Sequence, residues 1–517
     1  MQLSTLQVTP DAAGAVKVGK ALACAYGAYL ALKALRSALA LARDHYILCK
    51  IPHPPCPSLL LGNLPEISKE PPGVPFLRWH KEHGMIYTYR MMHRRKIVIA
   101  DQVELKKVLL TNVREFVKPK MEMVVLNFLL GEWGLVSVEG KDHTRQRKIL
   151  SEAFSFEALQ GTFPTFTHYA DKLVDRWGKF ADEGRGDVDV DNDLQKVTLD
   201  VIGKAAFGVE FGALEGDKSE VRDAYDSVFA MGGGQVLRIL SQIVPLIGWL
   251  PLPAKRRMEK AERVVNAKVN GVIEQRKAQK VEGGKGKDLL SLMMQARDGA
   301  GKGDTLSDIE LAHNVKTFMF AGHETTAGTL AWVLFELSKD KKLVERIRAE
   351  VKSVVSDGKS ITFRDTEKMP LLNAVFKETL RIYPAAPQLF RQTASEQVMC
   401  GYTIPAGTQV LVSPYVMGRS SEFWERAEEF WPDRWLEGIY KSEDDRANPY
   451  RFLPFLLGAR HCIGSKFANV EGAIILASVI REFDFELMEG HDEVKAKSKP
   501  TLKVHPYLKM KITRASK

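Results

Sequence analysis

FLLGARHCIG, Phe455–Gly464, sets a cysteine between two glycines and just ahead of a strong helical pattern running from Lys466 to Phe483. Gly458 and Gly464 permit tight backbone turns on either side of Cys462. A cysteine near a helix N-terminus feels partial positive charge, which favours the thiolate. Arg460 adds a cation two residues away. A thiolate so placed serves as a nucleophile or a metal ligand. The bland alternative is a buried, inert thiol beside a glycine turn.

Outward from that loop the pattern is mostly helical. Asp308–Ser338 is a long apolar-rich run, and Thr198–Phe207 is amphipathic to wholly apolar. Pro370–Ile382 stops short of Pro384, as a following proline demands. Met85–Met91 and Lys96–Ala100 read as a hairpin around a polar turn at His93–Arg95. Short strands are expected at Thr408–Ser413 and near Val504 and Met510. The expected fold is mainly α with small β-sheets. The 517 residues, 45% of them hydrophobic, can bury a large core. KVEGGKGKD (Lys280–Asp288) and RDGAGKGD (Arg297–Asp304) read as solvated loops, too short to divide the chain. One domain is therefore expected over residues 51–517.

The formal net charge of +10 admits nucleic acid, an anionic membrane or an acidic protein as partner. Nucleic acid is disfavoured, because no zinc finger, RNA-recognition strand motif or Arg/Lys-rich octamer occurs. Lys255, Arg256 and Arg257 read as a solvated helix face. The five cysteines, Cys24, Cys49, Cys56, Cys400 and Cys462, are odd in number and widely spaced, which argues against a disulfide scaffold or a zinc site.

Residues 1–50 form an anchor or targeting segment. ALACAYGAYLAL (Ala21–Leu32) is apolar but shorter than the roughly 20 residues a spanning helix needs, so a span requires Lys20 and Lys33 to snorkel. The readings are a spanning or interfacial membrane anchor, a transit peptide (Asp11 is the one acid in the first 43 residues) and a soluble core helix. The anchor is favoured. IPHPPCPSLLLGN (Ile51–Asn63) cannot be helical; it is a stiff spacer or a proline-rich surface strap.

The cysteine stretch resembles the haem-binding loop of the cytochrome P-450 family, FxxGxRxCxG, filling each specified position with Phe455, Gly458, Arg460, Cys462 and Gly464. Other motifs follow the family's order. HTRQR (His143–Arg147) resembles WxxxR, with His143 in place of Trp. AGHETT (Ala321–Thr326) matches (A/G)Gx(D/E)T(T/S) throughout. FKETLR (Phe376–Arg381) contains ExxR as Glu378 and Arg381, and FWPDRW (Phe430–Trp435) resembles PxRF with Trp435 replacing Phe. Alone, ExxR would be read as an ordinary ion pair and AGHETT as a kinked helix with a back-bonded threonine.

The resemblance, to a microsomal-type eukaryotic member, implies the following. Cys462 is the axial thiolate of haem b, a ligand that favours O–O cleavage. Phe455 packs near the sulfur and Gly464 closes its loop. Arg460, Arg391 in PQLFRQT, Arg147 and His143 hold the propionates, although a surface role for His143 is nearly as good a reading. Ala321 and Gly322 let a flat cofactor approach. Thr325 stabilises the iron-bound peroxo group and Glu324 relays protons to its distal oxygen, while His323 is given no role. Glu378, Arg381 and Arg434 form a structural network under the haem loop.

The implied activity is insertion of one atom of O2 into a lipophilic substrate. Electrons come from NADPH through a separate reductase, with cytochrome b5 or a ferredoxin as other donors, because no flavin or nicotinamide domain is visible. A basic face around the cysteine loop would dock an acidic flavoprotein. Met121–Leu135, Gln235–Pro253 and Ala385–Leu389 are the candidate substrate walls, the second also a membrane-touching entrance, with plain core packing nearly as good a reading of the first two. The expected location is the endoplasmic reticulum membrane, with mitochondrion or plastid as alternatives. Two other readings stand beside this one. A reductase-independent haem-thiolate isomerase or dehydratase is opposed by the retained Glu324 and Thr325. A non-catalytic haem or membrane carrier would not need that pair.

Overall fold

The computed structural model describes residues 12–185, 187–216, 220–229, 252–278, 288–298, 305–356, 358–436, 448–489, 494–498, 501–505 and 507–515. Most of the proposed entrance at Gln235–Pro253 and of the two glycine-rich loops lies outside them.

The helix Asp308–Leu337 organises the core. Ser307 and Glu310 close its first turn as a capping box, and its apolar residues run all round it. Such a helix must be covered on every side. Helices Val190–Phe207, Lys120–Leu130, Pro370–Ile382 and Ser465–Glu482 supply that cover. The helix after the cysteine begins one residue earlier than expected, at Ser465.

The largest sheet holds the hairpin Ile86–Met91/Arg94–Ile99. Gln409–Val412 lies parallel to its second strand, then Leu389–Thr393 and Phe116–Val117 follow antiparallel. The hairpin turn differs from the expected His93–Arg95. It is Met92–His93, with Met92 at φ 56°, and Arg94 and Arg95 join the strand. A two-residue loop with positive φ matches strand twist better than a longer polar turn.

At the N-terminus one helix runs from Ala12 to Leu48. Leu22, Tyr29, Leu35 and Leu39 are exposed on it, whereas Leu48 and Ile51 are buried in the body. The proline-rich segment is a strap rather than a free spacer. Thr88 N–H donates to Pro52 O at 2.9 Å and Asn63 N–H to Arg90 O at 2.7 Å, so the strap satisfies edge-strand groups of the hairpin. Arg256 and Arg257 lie on the solvated face of helix Pro253–Ala278, as expected.

Candidate functional site

The cysteine loop is built from backbone hydrogen bonds. Cys462 N–H donates to Phe455 O at 2.8 Å and His461 N–H to Gly458 O at 3.0 Å. Gly458 has φ 73°, and a side chain there would strike Leu109 O and Leu110. Gly464 does not share this role: at φ −86° it is simply the residue before the helix. Leu456, at φ 56°, takes the second left-handed position. Cys462 presents its surface to an internal cavity and is otherwise enclosed by protein. Burial pushes its thiol up, against the opposing pull of the Gly464 N–H and Arg147. The helix end therefore does not by itself make a thiolate; a coordinated metal cation would.

The cavity holds about 1070 Å³ of empty space, part of it open to solvent. Thr317, Phe318, Ala321, Gly322, Thr325 and Thr326 of the central helix form one wall. These positions recur at helical spacing, so a single face meets the cavity. Thr325 Oγ1 donates to Ala321 O at 2.8 Å. Glu324 and His323 fall on other faces. Glu324 is buried, pairs with Lys503 Nζ at 2.6 Å and accepts from Thr501 Oγ1 at 3.2 Å. Gly322 does more than admit a flat ligand, because a Cβ there would stand 2.7 Å from Ile202 Cδ1. Its small size also serves helix packing. Of Met121–Leu135, only Leu135 reaches the described lining, and Leu389 represents Ala385–Leu389. Loop 130–135 is pinned to the central helix: Trp133 N–H donates to His313 Nδ1 at 3.0 Å, Leu135 N–H to Asn314 Oδ1 at 2.9 Å and Thr317 Oγ1 to Leu130 O.

Lys118, His143, Arg147, Arg391 and Arg460 line the cavity, and no acid is among its described lining residues. Arg147 donates to His461 O at 2.8 Å, while Arg460 donates to Val138 O at 2.9 Å and pairs with Glu139. His143 is buried, not on the surface. Burial and the charges of Arg460, Lys118 and Arg147 hold its pKa down to about 3, so the ring is neutral. Burial and Arg460 likewise bring Arg391 down to about 10. Lys118 was missed in the sequence because it belongs to no motif. Burial, with Arg460 and Arg391, lowers it to about 7 against the pull of Glu139. Crowded cations of this kind call for an anion.

Glu378 is fully buried and takes five donors. Oε1 accepts from Arg381 at 2.7 Å, Arg434 Nε at 3.0 Å and Trp431 N–H at 2.8 Å. Oε2 accepts from Arg381 Nε at 2.9 Å and Trp435 Nε1 at 2.9 Å. The remaining guanidinium donors reach carbonyls of Gly418, Ala427, Glu429, Glu425 and Arg426. Trp435, which reads in the sequence only as a substitute for Phe, is a working donor. Trp435→Phe should cost about 1.5–3 kcal/mol, the range for a hydrogen bond to a charged group, read as a lowered denaturant midpoint with unchanged slope.

A cysteine facing a cavity, small residues and threonines on a second wall, and several cations with no acid among the described lining residues suit an iron porphyrin bearing two carboxylates. They define a haem-thiolate site on a mainly helical fold.

The comparisons agree with that class. The sequence profile of the cytochrome P-450 family matches residues 52–512, and the chain belongs to this family. It is 31% identical to 11-oxo-beta-amyrin 30-oxidase of Glycyrrhiza uralensis, over 77% of this chain and 75% of that one. It is 29% identical to the cytochrome P-450 monooxygenase sphH of Aspergillus fumigatus, over 84% and 82%. Protein LUTEIN DEFICIENT 5, chloroplastic, of Arabidopsis thaliana is 26% identical over 88% and 76%. The protein is a haem-thiolate monooxygenase, an oxidoreductase that uses O2.

Proposed function

We propose that this enzyme binds haem b through Cys462 and inserts one oxygen atom into a lipophilic substrate, with electrons passed from NADPH by a separate flavoprotein reductase. The observation that carries this is the convergence of Cys462 with Lys118, Arg147, Arg391 and Arg460 on one cavity with no acid among its described lining residues. Arg147, Arg391, Arg460, His143 and Lys118 would hold the propionates, with Phe455 and Gly464 framing the sulfur. When bound, haem supplies the reductive activation of O2. Ala321 and Gly322 shape the distal wall. Thr325 presents a hydroxyl to the cavity, and Glu324 can serve it once released from Lys503. Glu378, Arg381 and Arg434 hold the scaffold.

Apolar lining by Leu135, Val136, Phe318 and Leu389 supports a lipophilic substrate. A panel of terpenes, sterols and fatty acids scored by haem spin-state shift should yield at least one binder that the reconstituted enzyme oxygenates. Binding without an oxygenated product from any of them would overturn the reading.

Lys118 gives the site a pH dependence. Bound propionates would raise its pKa from about 7, so its contribution to haem affinity is complete below that value and is lost as pH rises from there to the raised value. The equilibrium haem affinity, measured by competition with an acceptor apoprotein, should fall above neutral pH by up to about tenfold per unit. Lys118→Arg should flatten that limb.

Among the described residues no helix is long and apolar enough to cross a membrane. The apolar side chains exposed on Ala12–Leu48, together with Leu59 and Leu60, at 91% and 83% exposure, support an interfacial attachment to the endoplasmic reticulum. The full chain should float with liposomes, and a chain lacking residues 1–50 should float less.

A further inference from the structure

Away from the haem cavity, the short helix Gln102–Lys106 meets the tip of the hairpin Gln397–Met399/Tyr402–Ile404. Cys400 and Gly401 form that tip, at φ 49° and 80°. Two-residue turns with both φ positive usually hold Asn-Gly, so a cysteine here goes against local preference. Its backbone N–H donates to Glu104 Oε1 at 3.1 Å. Cys400 Sγ, one oxygen of Glu104 and one of Asp101 all lie within 4.8 Å of one another. Hydrogen bonds do not account for the cluster. Asp101 Oδ1 caps the helix, accepting from Glu104 N–H at 2.9 Å, which leaves its second oxygen available. Lys107 Nζ reaches Glu104 Oε1 at 2.9 Å. Glu104 Oε2 is shut off from solvent and meets no donor among the described residues, in a residue only 5% exposed. A buried carboxylate oxygen without a donor is costly. Burial, then Asp101 and Glu104, push the Cys400 thiol up to about 11 against the pull of Lys107. What the cluster lacks is positive charge, and the Lys107 side chain, 38% exposed, can swing aside to admit it.

We propose that Asp101, Glu104 and Cys400 bind a divalent cation of the zinc class, with water completing a four-ligand shell. A thiolate among carboxylates selects zinc or a softer ion over calcium and magnesium, which take oxygen ligands. Binding replaces the S–H bond of Cys400 by a metal–sulfur bond, and the proton leaves to solvent. Cysteine spacing could not show this site, because Cys400 stands 296 positions from Glu104. The cation clips the hairpin to a helix that runs on into the turn Lys107–Thr111, and Leu109 O of that turn lies against Gly458 of the cysteine loop.

Titrating the holoenzyme with zinc chloride tests this. One zinc per chain should bind, and X-ray absorption at the zinc edge, distinct from that of iron, should show one sulfur at about 2.3 Å and oxygens at about 2.0–2.2 Å. Zinc should raise the thermal midpoint of the wild type and leave that of Cys400→Ser unmoved. Glu104→Gln should weaken binding by more than the roughly 10–100-fold that loss of an outer-shell partner costs. Lys107→Met should tighten binding, because the competing cation is gone. No stoichiometric zinc in the wild type, a shell without sulfur, or undiminished binding in Cys400→Ser overturns the proposal, as does weaker binding in Lys107→Met. Should Glu104→Gln fail to fold, Cys400→Ser and Lys107→Met decide, since Cys400 is exposed at the hairpin tip.

Discussion

Cys462→Ser abolishes product formation and removes the red-shifted absorption that a thiolate gives to reduced, carbon-monoxide-bound haem. The expected loss is complete, because a serine hydroxyl at this position is neither a good metal ligand nor a source of electron density for O–O cleavage. The substitution changes one atom and leaves the loop intact. Its hydrogen bonds come from the backbone, Cys462 N–H to Phe455 O and His461 N–H to Gly458 O, and from Arg147 to His461 O. Circular dichroism and the thermal midpoint of the haem-free variant should therefore match those of the haem-free wild type. A variant that keeps both the pigment and the thiolate spectrum would disprove ligation by Cys462 and the site built around it.

Glu378→Ala should leave little folded, haem-containing protein. Removing the carboxylate takes from Arg381 and Arg434, each at most 1% exposed, the buried anion they share. Breaking a buried ion pair in this way costs about 3–5 kcal/mol. A typical domain has only about 5–15 kcal/mol in all. Glu378→Gln should fare little better, since one of its two acceptor oxygens becomes an amide NH2 donor facing guanidinium and indole donors. Equilibrium unfolding and haem content per chain measure the outcome. Wild-type stability in Glu378→Ala would show that the five-donor arrangement is not what holds this region.

The sequence made several of these elements legible through strictly local signals. Pro370–Ile382 was bounded by prolines, and the central helix announced itself by length and apolar content. The cysteine loop carried its own turn signal in Gly458. Other features depended on distant chain. Gly464 looked like a second turn glycine, yet its dihedrals are ordinary because the helix begins beside it. His143 could be read as a surface residue until the fold closed over it. Lys118 had no motif, and only the cavity brings it beside Arg391 and Arg460. Trp435 gave a chemical hint in its indole N–H, but nothing local said that Glu378, 57 positions away, would receive it.

By itself, then, the sequence determined the helical scaffold, the cysteine loop and the order of the motifs, because backbone preference and apolar periodicity are properties of neighbouring residues. Only the tertiary structure decided where the polar side chains of the buried central helix point. That helix is apolar on every face, so no local pattern orients it. Glu324 turns from the cavity because Thr501 and Lys503 arrive from a segment far along the chain.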